Sequence, residues 1–219
     1  GIATGVSSKL PNLSQNIEYE VVTVQENWRK LIDSEIKFIK STKETSSLIF
    51  PGTFNPLHKG HLKIKDIAEK MTEQTLFFEI SVNNVDKAPL SFYEIQKTID
   101  QFSEDHQFVL TNAPTFEEKI KLFPKSTFVV GTDTLMRIFD EKYYRDSSSM
   151  KKAIECFNEN DAKFIVFGRE VDETFRSLED LEVPTSILHR FVGVSENEFR
   201  MDIRSRDIKR SEEERRRPA

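Results

Sequence analysis

Short apolar runs alternate along this chain with stretches in which apolar residues recur every three or four positions. "SLIF" (47–50), "TLFFEISV" (75–82), "QFVLT" (107–111), "STFVV" (126–130), "KFIVF" (163–167) and "RFVGV" (190–194) read as strands. Between them, "GHLKIKDIAEKM" (60–71) places Leu62, Ile64, Ile67, Ala68 and Met71 close to one helical stripe. "SFYEIQKTIDQF" (91–102) spaces Phe92, Ile95, Ile99 and Phe102 by three and four, with Ser91 as its N-cap. "TFEEKIKLF" (115–123) and "SSMKKAIECFNE" (148–159) are further helices. Strands separated by helices call for right-handed crossovers and a sheet covered on both faces. The predicted class is α/β: a Rossmann-like, open, mostly parallel sheet with helices on both faces.

Three regions differ in character. Residues 1–45 form an N-terminal extension: "GIATGVSSKLPNLSQ" is rich in turn formers, "IEYEVVTV" reads as one strand and "ENWRKLIDSEIKFIK" as one helix. Residues 46–210 carry the alternating pattern, and 211–219 form a charged tail in which each Glu of "SEEERRR" faces an Arg three positions on. Opening on Gly1 rather than Met, the chain reads as a segment of a longer one.

Composition narrows the classes further. Of 219 residues, 37% are hydrophobic and 18 are phenylalanine, enough for a packed core. A net charge of −5 argues against general binding to nucleic acid or to anionic membranes. Cys156 is the only cysteine, so a reducing, cytoplasmic setting is expected. No apolar run reaches the roughly 18 residues that a membrane span needs.

In open α/β sheets ligands gather at the carboxyl ends of the strands. Just past the first such end lies "GTFNPLHKGH" (52–61), with His58 and His61 three positions apart where a helix begins. A helix start offers unpaired N–H groups and a positive dipole end, which favour an anion. Two imidazoles add hydrogen-bond donors, Gly60 lets the backbone approach closely, and Asn55–Pro56 stiffens the turn. The stretch reads as a polyphosphate cradle. With no Cys or Glu ligand beside the histidines it makes a poor zinc site, and no protein-held metal is expected.

This stretch resembles the (T/S)-F-(D/N)-P-x-H-x-G-H signature of the nucleotidylyltransferase superfamily. The resemblance implies a Rossmann-like enzyme that moves a nucleotidyl group from a nucleoside triphosphate to an acceptor and releases pyrophosphate, with Mg²⁺. It implies that His58 and His61 bind triphosphate oxygens, and that Gly52, Thr53, Phe54, Asn55 and Gly60 wall the nucleotide. "VVGTDTLMRIF" (129–139) resembles the G-x-D-x-L stretch of nicotinamide mononucleotide adenylyltransferases, which implies that Gly131 and Asp133 sit near the ribose or base. Read alone, Asp133 fits equally the cap of a following helix. "IVFGRE" (165–170) is similar to a strand end that supplies an arginine, here Arg169, which alternatively sits in a solvated loop. "SVNNVDKAPLS" (81–91) implies acceptor contacts from Lys87 and Asn83.

The resemblance thins at the C-terminus. The family's I-S-S-T-x-(I/L)-R helix start corresponds to "IRSRDIK" (203–209), where Ser205 holds its place and Lys209 stands for the arginine. Arg204 and Arg206 replace a serine and a threonine. The implied roles are phosphate binding by Ser205 and Arg206, and a grip on the departing pyrophosphate by Lys209. Loss of two hydroxyls and of the arginine fork weakens phosphate geometry. A nucleotide-binding module with reduced catalysis therefore stands beside the enzyme reading. The implied acceptor is nicotinamide or nicotinate mononucleotide with ATP, and the alternative is cytidylyl transfer to a phosphorylated alcohol. "FRMDI" and "LFPKSTFVVGTDT", with "GIATGVSSK" upstream, resemble the branch in which this domain follows a CinA-like domain.

Overall fold

The computed structural model describes residues 24–83, 88–139, 147–171 and 174–199. The expected strand at 17–24, the expected sites at Lys87, Ser205, Arg206 and Lys209, and the charged tail fall wholly or largely outside them.

Seven strands form one sheet. They are β1 (Phe38–Lys40), β2 (Leu48–Pro51), β3 (Leu76–Ser81), β4 (Gln107–Thr111), β5 (Thr127–Gly131), β6 (Lys163–Phe167) and β9 (Phe191–Val194). Their order is β1-β4-β3-β2-β5-β6-β9, and every pairing is parallel except the antiparallel one of β1 with β4. A two-stranded hairpin, β7 (Arg169–Val171) with β8 (Thr174–Arg176), follows β6. The expected open, mostly parallel α/β sheet is thus the observed one.

The two faces are covered by different helices. Helices α1 (Glu26–Ile32), α2 (Lys59–Thr72) and α3 (Phe92–Ile99) supply Trp28, Leu31, Ile64, Ala68 and Ile95 to a core that also holds Leu48, Phe50, Phe78 and Ile80. Helices α4 (Phe116–Leu122), α5 (Thr132–Ile138) and α6 (Ser147–Glu159) supply Ile120, Leu135, Ile138, Cys156 and Phe157 to the opposite core, with Ile49, Phe77, Phe128 and Phe164. Alternate residues of each strand feed alternate cores, as the two-residue period requires. The apolar runs are unbroken because both faces are buried.

The stretch 26–40 is not one helix. Helix α1 stops at Ile32, Ser34 turns in the left-handed region (φ 64°), and Phe38–Lys40 joins the sheet edge beside β4. The three- and four-residue spacing of its apolar positions hid that strand. Ser91 caps α3 as expected, in a reciprocal pair with Glu94.

Strand order reverses at β2, whose neighbours are β3 on one side and β5 on the other. In such sheets the crevice at the reversal, beyond the strand ends, is where ligands bind. The segment after β2 and the start of α5 after β5 both open onto it.

Candidate active site

The crevice is built first by a braced turn. Phe54 takes a left-handed backbone (φ 43°), unusual for an aromatic residue, and the following Asn55–Pro56 bond is cis. Its ring is 1% exposed and sits edge-on to Phe50, Phe78 and Phe102 at centroid distances of 5.3, 5.0 and 6.1 Å. Gln101, just past α3, braces the turn. Its Nε2 donates to the Phe54 carbonyl oxygen (3.0 Å), and its Oε1 accepts from the Leu57 amide (2.7 Å). Gly52 is required here: a Cβ at that position would lie 2.6 Å from the Phe54 ring.

That turn delivers two imidazoles to the first turn of α2. His58 is the N-cap, with extended backbone (φ −142°, ψ 169°). Its Nδ1 accepts from the Gly60 amide (3.1 Å), while His61 Nδ1 accepts from the His58 amide (3.3 Å). The rings stack at 3.7 Å with 22° between their planes. A neutral imidazole whose Nδ1 accepts must carry its proton on Nε2. Both Nε2–H groups are therefore donors left for a ligand, beside the positive end of a fourteen-residue helix.

The electrostatics keep these rings uncharged when the site holds no anion. His61 is 7% exposed, and burial, then His58, then Arg169 push its pKa down to about 3. Burial and then the Arg169 guanidinium lower His58 in the same direction. Arg169, at the start of β7, acts on both histidines through its charge.

Across from them, Gly131 is the N-cap of α5 and Asp133 lies in its first turn. As an acidic residue in that first turn, Asp133 also complements the positive end of the helix dipole. Its Oδ1 stands 3.8 Å from Arg169 Nε, too far for a hydrogen bond, and both atoms are buried without hydrogen-bond partners. Buried polar atoms of this kind are ordinarily satisfied. A Cβ at Gly131 would fall 2.5 Å from Asp133 Oδ1, so a larger residue there would displace the Asp133 side chain. Thr132 Oγ1 donates to the Arg176 carbonyl oxygen (3.3 Å), which ties the β7–β8 hairpin to α5.

The sequence-predicted residues thus form two clusters, His58 with His61 and Gly131 with Asp133 and Arg169. Gly52, Phe54, Asn55 and Gly60 build the turn and helix start that carry the histidines, and Thr53 is exposed on that turn. Asn83 is differently employed. Its amide donates to Asn112 Oδ1 (2.5 Å), and Asn112 donates onward to the Leu31 carbonyl oxygen and Ser34 Oγ at the end of α1. The sequence pattern missed Gln101, whose contacts to the turn span more than forty positions. Among the described residues no group of three His, Cys, Asp or Glu side chains could hold a metal ion. No helix among them is long and apolar enough to cross a membrane.

The cytidylyltransferase-like family profile matches residues 49–211, more than half of the chain. The chain belongs to that family. The match runs from β2 through the histidine turn to the basic C-terminal stretch, so the family's shared part is the domain described above. A Schizosaccharomyces pombe protein named "Putative nicotinamide mononucleotide adenylyltransferase" is 30% identical over 139 residues. The aligned region covers 58% of this chain and 54% of that relative, so the chain spans about half the length of the relative it matches.

Proposed function

We propose that this protein transfers a nucleotidyl group from ATP to the phosphate of nicotinamide or nicotinate mononucleotide, releasing pyrophosphate. The observation that carries the reading is the pair of stacked imidazoles, each with Nδ1 committed to backbone and Nε2–H free, at the start of α2.

In the proposed reaction an acceptor phosphate oxygen attacks the α-phosphorus in line. A new P–O–P bridge forms, the bond to the β-phosphate oxygen breaks, and pyrophosphate leaves with that electron pair. No protein nucleophile is needed, so rate enhancement comes from positioning and charge stabilisation. His58 and His61 would donate from Nε2 to phosphate oxygens next to the reacting phosphorus. Asp133 and Arg169 would hold the nucleoside end and satisfy their orphaned atoms there. Magnesium needs no dedicated protein cage and would come bound to the nucleotide's phosphates.

Lys209, Arg206 and Ser205 are proposed to grip the β- and γ-phosphates. Support comes from Phe199, which is buried against Phe167 (5.1 Å between rings) and lies under Lys63 of α2 (5.7 Å). Phe199, four residues before that stretch begins, thus lies beside the cradle helix.

The printed name of the fungal relative favours a nicotinamide mononucleotide acceptor, and the family description keeps cytidylyl transfer as the second reading. Pyrophosphate release, measured with Mg²⁺, each nucleoside triphosphate and a panel of phosphate acceptors, decides between them. ATP with the mononucleotide is the pair expected to react. Release only from CTP with a phosphorylated alcohol establishes the second reading, and nucleotide binding without release establishes a catalytically weakened module.

A further inference from the structure

Gln101 meets the histidine turn with both ends of one side-chain amide. It follows the C-cap of α3, where its backbone amide donates to the Thr98 carbonyl oxygen (3.4 Å). From there Nε2 donates to the Phe54 carbonyl oxygen (3.0 Å) and Oε1 accepts from the Leu57 amide (2.7 Å). A carbonyl to meet on one side and an N–H on the other fix which way the amide faces.

The two bonds lead to different histidines. Leu57 directly precedes His58, whose amide donates to His61 Nδ1 (3.3 Å). Phe54 carries the ring that meets the His61 imidazole edge-on, with 5.1 Å between centroids and 82° between planes. Phe102, next in sequence to Gln101, also packs on that ring, at 6.1 Å. Gln101 and Phe102 thus hold Phe54 by its backbone and by its side chain.

Phe54 is where the turn needs holding. Its backbone is left-handed (φ 43°), a conformation that a bulky residue keeps only when its surroundings impose it. Take away the Gln101 amide, and the Phe54 carbonyl and Leu57 amide turn to water, leaving the turn free to shift. Any such shift carries both imidazoles with it. A misplacement of about 1 Å at a reacting centre costs on the order of a hundredfold in rate.

We propose that Gln101 is a positioning residue for nucleotidyl transfer, setting the places of His58 and His61 without touching substrate itself. This deepens the histidine assignment and rests on the function proposed above. Gln101 governs rate more than affinity. A flexible triphosphate in the ground state adapts to displaced donors, whereas transition-state stabilisation requires them in one place. Glutamine suits the task because it donates and accepts on one planar group. Methionine keeps its length with neither function. An ionised glutamate keeps the bond from Leu57 but turns an oxygen toward the Phe54 carbonyl.

The test compares wild type, Gln101→Met and Gln101→Glu by pyrophosphate release with Mg²⁺-ATP and nicotinamide mononucleotide, and by ¹⁵N NMR of the histidine rings without ligand. In Gln101→Met, kcat should fall about ten- to hundredfold while KM for ATP stays within about twofold. The ring resonances of His58 and His61 should move, and the melting curve should stay largely in place. Should Gln101→Met fail to fold, Gln101→Glu, which retains one of the two bonds, carries the same comparison with the same expected split. Unchanged turnover or unmoved ring resonances in a folded variant overturn the inference and leave the proposed function standing. A loss confined to KM for ATP also overturns it. No release from the wild type overturns the proposed function and the inference together.

Discussion

Arg169 and Asp133 face each other across 3.8 Å from different strand ends, each with a buried atom that bonds to nothing. One opens β7 and the other lies in the first turn of α5, and a Cβ at Gly131 would press on both side chains. Replacing Arg169 by alanine should raise the KM for ATP by roughly tenfold or more, the range expected for losing a charged hydrogen-bond donor. Lysine should not restore it, because it lacks the planar fork. Steady-state kinetics on both variants check this, and an unchanged KM for ATP in Arg169→Ala would remove the residue from the nucleotide site.

Removing His61 deletes a donor aimed at the reacting phosphates. His61→Ala should lower kcat by about 10²–10³. The same change also loses a helix-start hydrogen bond, at a cost of about 1 kcal/mol in stability. Pyrophosphate assays together with chemical denaturation separate the two effects, since a folded variant with wild-type turnover contradicts the assigned role.

Acid should destabilise the protein through His61. Its native pKa of about 3 lies below the ordinary value of 6.5, so between those limits the unfolded chain binds more protons than the native one. The stability associated with the neutral ring is present above about pH 6.5 and drains away as pH falls toward 3. The slope from this one group is at most about 1.4 kcal/mol per pH unit. Urea unfolding between pH 4 and 7 should therefore show a shallower pH dependence for His61→Gln than for the wild type. Parallel curves would show that the buried ring does not resist protonation.

Gly52→Ala should damage the turn without touching a catalytic atom. The added methyl meets a phenyl ring at 2.6 Å, and that ring is hemmed in by Phe50, Phe78 and Phe102. Overpacking of this kind costs about 1–3 kcal/mol. A fall of several degrees in melting temperature, together with reduced turnover, is the expected outcome of calorimetry and kinetics.

Most of the sheet was readable because strands buried on both faces are written as continuous apolar runs, "KFIVF" being a clear case. The histidine turn was readable because its chemistry lies within ten consecutive residues. Arg169 was placed by resemblance to a strand end, and its approach to His58 depends on strand order, which the motif does not state. The sequence does not separate helix α1 from strand β1, because "SEIKFIK" alternates too briefly to outweigh its helical spacing. The β7–β8 hairpin went unseen since three-residue strands such as "REV" and "TFR" have no period to detect. Glu79 did leave a mark: a carboxylate at an inward position of "LFFEIS" demands a partner. That partner, Lys119, lies forty positions away and could be named only from the fold.

The central claim is that the two Nε2–H donors at the start of α2 hold the phosphates of a nucleotide. A crystal structure with Mg²⁺ and a non-hydrolysable ATP analogue measures this directly. Both Nε2 atoms should lie about 2.7–3.2 Å from phosphate oxygens, with Nδ1 still bound to backbone amides. Triphosphate density elsewhere, with both rings turned from it, would contradict the account.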